Sequence, residues 1–137
     1  MNLLVDTSVW SLALRRDEAR SEPAVRFLSR ALGDGESIFS TGLILQELLQ
    51  GFHGPKNRAL LLERFGALPL LVPDREDHVQ AAELRNLCRG RGIQIGTIDA
   101  LIARLAIRHE LTLLTTDRDF ERLARIAPLE LWRPAGR

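Results

Sequence analysis

Asp6, Glu47, Asp99 and Asp117 are scattered over a chain of 137 residues, yet each stands where a regular element begins or ends or on the polar edge of an apolar helix. Brought together they would make an all-oxygen donor set, which hard divalent cations such as Mg²⁺ or Mn²⁺ prefer over softer metals. Zinc is disfavoured, because Cys88 is the only cysteine and His53, His78 and His109 show no ligand spacing. Taken singly, each acid has a plainer reading. Asp6 and Asp117 could cap helices, Asp99 could complement a helix dipole for roughly 0.3 to 1 kcal/mol, and Glu47 could be a surface glutamate. Taken together they need a countercharge, since two carboxylates about 5 Å apart repel by roughly 3 kcal/mol at an effective dielectric near 20. The only lysine, Lys56, lies after GFHGP, away from the strand ends. A divalent cation is the countercharge the pattern predicts.

The elements that would gather these acids are legible from periodicity. LLVD reads as a buried strand at residues 2 to 5, closed by Asp6 and followed by a helix over 8 to 15. LTLLTT repeats the arrangement at 112 to 116, ahead of Asp117 and a short helix carrying Phe120, Leu123 and Ile126. A second helix is expected over 22 to 32, a strand at 37 to 40, the Glu47 helix over 42 to 51, another from Pro55 to about 65, and a strand at 68 to 72. A long helix runs from Asp74 to Arg89, with Val79, Ala82, Leu84, Leu87 and Cys88 as its apolar marks, before GRG breaks it. Ile98, Leu101, Ile102 and Leu105 form a stripe beside Asp99, with Thr97 as the expected N-cap, and a last strand falls at 128 to 132. Glu47, between Leu45 and Leu48, is expected at the margin of a buried face with restricted access to water. Alternating strands and helices imply a parallel α/β sheet, whose ligands gather beyond the carboxyl ends of the strands. Asp6 and Asp117 both fall on that edge.

Composition fits one soluble domain: 45% of residues are hydrophobic, 27% are charged, and neither linker nor repeat divides the chain. MNLLVD meets an acid too early for a signal peptide and no apolar run reaches the length of a membrane span, so a cytoplasmic location without membrane attachment is expected. Cys88, Trp10, Trp132 and the five phenylalanines read as packing residues. A net charge of +1 excludes the strong basic field of a nonspecific DNA binder. The positive charge is nevertheless nearly all arginine, clustered at Arg15, Arg16 and Arg20, at Arg85, Arg89 and Arg91, and at Arg118, Arg122 and Arg125. Guanidinium forks suit phosphate contacts, and solvated helix faces explain the bias equally well.

LLVDTSVW, LILQELLQG, IGTIDALIA and LLTTDRDF, in that order, resemble the successive acidic motifs of PIN-domain nucleases, and specifically of VapC-type ribonuclease toxins from bacterial toxin-antitoxin pairs. The likeness covers nearly the whole chain, and implies a single PIN domain over residues 1 to 137 with a three-layer fold and sheet order 3-2-1-4-5. It assigns Asp6, Glu47, Asp99 and Asp117 as metal-binding catalytic acids, Thr116 as the hydroxyl residue beside the last acid, Asp119 as an auxiliary acid, and Thr7 and Ser8 as polar residues after the first acid. It further implies Mg²⁺-dependent hydrolysis of an RNA phosphodiester, with tRNA or rRNA as the substrate class. A homodimer and a cognate VapB-type antitoxin, whose extended segment covers the active-site groove, complete the expectation. The alternatives are an RNA-processing nuclease outside toxin systems and a catalytically silent module that binds RNA or protein. A phosphoacceptor receiver is disfavoured by the lack of a lysine on a late strand. A haloacid-dehalogenase-like phosphatase is disfavoured because Asp6-Thr7-Ser8 lacks its second aspartate.

Overall fold

The computed structural model describes residues 1–15 and 22–135. Arg16 and Arg20 of the first arginine cluster lie outside the described residues. Five parallel strands, β1 (Asn2–Val5), β2 (Ser37–Thr41), β3 (Leu70–Leu71), β4 (Thr112–Leu114) and β5 (Glu130–Leu131), form one sheet in the order β3-β2-β1-β4-β5. Helices flank it: α1 (Thr7–Leu14), α2 (Pro23–Gly33), α3 (Gly42–Gly51), α4 (Pro55–Gly66), α5 (Arg75–Gly90), α6 (Thr97–Arg108) and α7 (Arg118–Leu123). The sequence therefore places the elements in the right order, and the expected three-layer α/β topology is the observed one.

The central strands are apolar on both faces because both faces are covered. Leu3, Leu4 and Val5 of β1 and Leu113 and Leu114 of β4 are fully buried, so neither strand alternates. From β1 the chain steps outward through β2 to β3, then returns to place β4 on the other side of β1. Strand order thus reverses between β1 and β4, where diverging loops open a crevice. Val5 pairs with Leu114, and the Asp6 N–H extends the ladder by donating to the Leu114 carbonyl at 2.9 Å. The edge strands β3 and β5 are two residues long, shorter than the runs expected at 68 to 72 and 128 to 132.

Three local expectations need correction. Gly96, not Thr97, occupies the N-cap of α6, and Ile98 in its stripe is exposed while Leu101, Ile102 and Leu105 are buried. On α5 the inward face carries Asp77, Ala81, Leu84 and Cys88, whereas Val79 and Leu87 are exposed. Glu47 is exposed rather than shielded, because Ile44 and Leu48 turn the other side of α3 to the core. Cys88 behaves as a packing residue, and burial pushes its thiol pKa up. Trp10 tilts against Phe65 at 5.0 Å and Phe27 stacks on Trp132 at 4.9 Å, as expected of core aromatics.

Sequence reasoning passed over Asp77, which is completely buried. Its carboxylate completes a capping box with Asp74, accepting from the Asp74 N–H at 2.9 Å while its own N–H donates to Asp74 Oδ1 at 2.8 Å. The same carboxylate accepts from Arg104 Nε at 3.1 Å and pairs with Arg108 Nη1, fastening α5 to α6. Burial alone would raise this carboxyl, but the Asp74 N–H and the two guanidiniums together hold it below the usual carboxylate range. A depressed native pKa contributes stability above the ordinary value and loses it as pH falls through the native one. Asp77→Asn is expected to lower unfolding stability by about 2 to 4 kcal/mol at neutral pH, because it strands buried donors. Urea denaturation at pH 7 and pH 3 checks this: the deficit should shrink at the lower pH, and a wild-type midpoint at pH 7 would refute it.

Candidate functional site

The crevice between β1 and β4 is built on two hydroxyls. Ser8 Oγ and Thr115 Oγ1 donate to the same oxygen of Asp6, Oδ2, at 2.8 and 2.9 Å. Each hydroxyl in turn accepts a backbone N–H: Thr116 N donates to Ser8 Oγ at 3.1 Å, and Asp117 N to Thr115 Oγ1 at 3.0 Å. An ionised carboxylate can only accept, so each hydroxyl donates its proton to Asp6 while its oxygen accepts a backbone amide. The arrangement pins Asp6, which is 7% exposed, against the turn that carries Asp117. Asp6 sits at the N-cap of α1 but makes no side-chain cap bond, so helix capping does not explain it.

Asp117 does cap α7, through Oδ1 accepting the Asp119 N–H at 2.9 Å. Capping occupies one of its two oxygens. Thr7 Oγ1 donates to Glu47 Oε1 at 3.2 Å, which ties α3 to the start of α1. Asp99 enters from the first turn of α6, half-buried. Its carboxyl is pushed from the ordinary value of 3.8 up to about 6, by burial first and then by the charges of Asp6, Asp117, Glu47 and Asp119. Asp99 is thus the position at which the other acids of the set are felt together.

Both Thr7 and Ser8 hydrogen-bond to acids, Thr7 to Glu47 and Ser8 to Asp6. The hydroxyl beside the last acid is another matter. Thr115, which sequence reasoning did not single out, bonds Asp6, while Thr116 is exposed and contributes its backbone N–H. Extended backbone continuing past β4 accounts for this, since adjacent side chains point to opposite faces of the sheet and only one of the two threonines shares the face of the Asp6 carboxylate. That register was the available signal. Asp119 is engaged by Arg122 Nη1 at 3.0 Å, whereas none of Asp6, Glu47, Asp99 and Asp117 has an ion-pair partner among the described residues.

The donor set fits a hard divalent cation by chemistry and by charge: carboxylates and hydroxyls, negative, with no internal cation to neutralise them. The side chains do not form a finished coordination shell, since no three of the described histidines, cysteines, aspartates or glutamates enclose an ion position. Among the described residues no helix is long and apolar enough to cross a membrane.

Comparison with known proteins gives the same direction. The PIN domain family model matches residues 3–126. Ribonuclease VapC11 of Mycobacterium tuberculosis is 32% identical over 130 residues, covering 93% of this chain and 96% of its own. VapBC2 from Rickettsia felis, solved with a DNA fragment from its promoter, superposes with a TM-score of 0.75 at 23% identity, over 97% of this chain and 100% of that one. VapC20 of M. tuberculosis, described as a toxin cleaving the sarcin-ricin loop, superposes with a TM-score of 0.67 at 20% identity over 88% and 94% of the two chains. At these identities the two structures speak to fold.

A native pKa raised above the unfolded one destabilises the ionised form. Between pH 3.8 and about 6 the folded chain holds a proton on Asp99 that the unfolded chain has released, so stability falls as pH rises across that window and is flat above it. A two-unit shift corresponds to about 3 kcal/mol, which solvent screening of a half-buried group reduces to about 1 to 2. In chelator, Asp99→Asn should therefore exceed wild type in thermal midpoint at pH 7 and match it at pH 4. Equal midpoints at both would count against the repulsion.

Proposed function

This chain belongs to the PIN-domain family, among the VapC ribonucleases of toxin-antitoxin pairs, and we propose that Asp6, Glu47, Asp99 and Asp117 form its metal-dependent active site for cutting RNA. The observation that carries the reading is the joining of the β1 and β4 ends: one carboxylate oxygen of Asp6 is fixed by Ser8 and Thr115, while its other oxygen makes no protein hydrogen bond among the described residues. A rigid acid with an oxygen to spare, beside Asp117, Asp99 and Glu47, is what a metal ligand needs. The single PIN domain extends, in this reading, over residues 1 to 137.

Bound at these acids, Mg²⁺, with Mn²⁺ as a substitute, supplies positive charge to the phosphoryl group and a water of lowered pKa. The chain's own part is positioning. Ser8 and Thr115 hold Asp6 in one rotamer, Asp117 is fixed by the amide it caps, Thr7 steadies Glu47, and Asp99 faces the charges of the others. Asp119, held by Arg122, closes the rim as the auxiliary acid. No histidine of the described chain hydrogen-bonds to these acids, so proton removal falls to the carboxylates and solvent. The substrate class is structured cellular RNA, tRNA or rRNA.

Two partners complete the proposal. The first is a cognate antitoxin whose extended segment covers the active-site groove, a reading that the VapBC pair among the similar structures supports. A second copy of the chain would cover Leu70, Val72 and Ile98, which are exposed around the smaller apolar cluster of Leu101 and Leu105 with Leu43. Sedimentation equilibrium should give a dimer that Val72→Glu weakens, and a monomeric wild type at micromolar concentration would remove this part.

For the chemistry, Asp6→Asn should lower RNA cleavage by at least about 100-fold, given the several kcal/mol of transition-state stabilisation that such a site provides. Thr115→Val should cost about tenfold in metal affinity through its loss of hold on Asp6, and Thr116→Val much less. Cleavage of total RNA with titrated Mn²⁺ measures both. Undiminished cutting by purified Asp6→Asn would end the nuclease reading.

A further inference from the structure

A second cleft, of about 560 Å³, opens on the far side of Asp119 and is lined by Arg85 and Arg89 of α5, the loop 92–96 and Asp119 itself. We propose that this cleft holds a phosphate of the RNA strand flanking the scissile one, and so sets the register in which the strand crosses the acids. The inference rests on the ribonuclease reading of the neighbouring site.

The loop gives the cleft its shape. Gly92 takes a φ of +74°, a left-handed turn that suits glycine, and the chain reverses so that the Ile93 N–H donates to the Cys88 carbonyl at 2.8 Å. Beyond that turn the N–H groups of Gln94, Ile95 and Gly96 make no hydrogen bond to the described residues. Arg85 Nε donates to the Ile95 carbonyl at 3.0 Å, which fixes the guanidinium against the loop and leaves its terminal nitrogens unspent. Arg89 is exposed and has no ion pair among the described residues. Two forked cations on one wall, with the Asp119 carboxylate at the edge already taken up by Arg122, make a receptor for phosphate oxygens and a poor one for an apolar ligand.

Asp119 connects the cleft to the chemistry. It contributes to the field at Asp99 and also lines the cleft, with Arg122 bound to it, so the positive wall begins where the acids end. A polyanion approaching four carboxylates is repelled before any cation can help, and phosphates on either side of the cut must be held by something positive. An acidic protein segment would also meet the two arginines. RNA is favoured because a strand with one phosphate at the acids must place its neighbours alongside.

Binding of fluorescein-labelled oligouridine to the Asp6→Asn chain, by anisotropy over a range of salt, tests this apart from cleavage. The Arg89 side chain makes no hydrogen bond or ion pair among the described residues, so Arg89→Glu should fold. It should weaken binding about tenfold and reduce the slope of log K against log salt by about 0.7 for each phosphate that is no longer neutralised. Arg89→Lys should restore most of both, and Arg58→Glu, on the exposed side of α4, should leave them near wild type. Equal losses from Arg89→Glu and Arg58→Glu would mean diffuse charge and overturn the site. An unchanged slope with Arg89→Glu would also overturn it, leaving the acidic protein segment as occupant. If wild type fails to cut RNA while the Arg89 effect persists, only the nuclease reading falls; if it cuts and Arg89→Glu binds normally, only the cleft does.

Discussion

Electrostatic repulsion among carboxylates at one end of the sheet is the constraint on which this molecule turns. Asp6 and Asp117 are carried to adjacent positions by the backbone, because β1 and β4 are neighbours and both end there. Asp99 arrives on a helix start and Glu47 on a helix flank. Left alone, such charges would move apart into solvent. Two hydroxyls oppose this at Asp6, and each is itself anchored by accepting a backbone amide, so the restraint leads back to the main chain of the turn after β4. A buried sheet with fully packed leucines supplies the stiffness behind that turn.

Asp77 shows the opposite treatment of a carboxylate. It is more deeply buried than any of the four, yet its pKa is lowered, because Arg104, Arg108 and the Asp74 amide satisfy it. Asp99 is less buried and its pKa is raised, by burial first and then by the negative charges that face it, with no cation to outweigh them. Burial therefore does not separate the two; the sign of the neighbours does. An acid that is structural has its countercharge in the chain, and an acid that awaits a ligand does not.

Asp6, Asp99 and Asp117 were legible as candidates because each sits at an element boundary that periodicity reveals, whereas Glu47, in the middle of α3, was singled out by its apolar neighbours and the motif order. Strand order followed from family likeness and not from the residues, since nothing local says which side of β1 receives β4. Thr115 was missed in favour of Thr116 because facing is decided by the pleat at a strand end, where a one-residue error exchanges the two sides. Asp77 was missed because, in PDREDHV, it reads as one more solvated charge in a first turn. Only α6, distant in sequence, reveals that Arg104 and Arg108 descend on it. The inward face of α5 was misjudged for the same reason: with Asp77 satisfied by arginines, a polar residue could hold a core position and exposed Val79 and Leu87 were left to the other side.

Net charge conceals how the surface is divided. A chain at +1 should neither attract nor repel RNA at long range, yet among the described residues acids without ion pairs lie near Arg85 and Arg89, which form none either. The energies on the acidic side are commensurate. A raised Asp99 carries a penalty of about 1 to 2 kcal/mol once solvent screening is counted, and a cation present at a hundred times its Kd stabilises the native state by about 2.7 kcal/mol. An ion of ordinary affinity thus suffices to offset the repulsion, with no exceptional coordination shell required. Asp6 and Asp117 are the acids held most firmly, by hydroxyls and by a capped amide, so a cation drawn by the charge would meet two fixed carboxylates first.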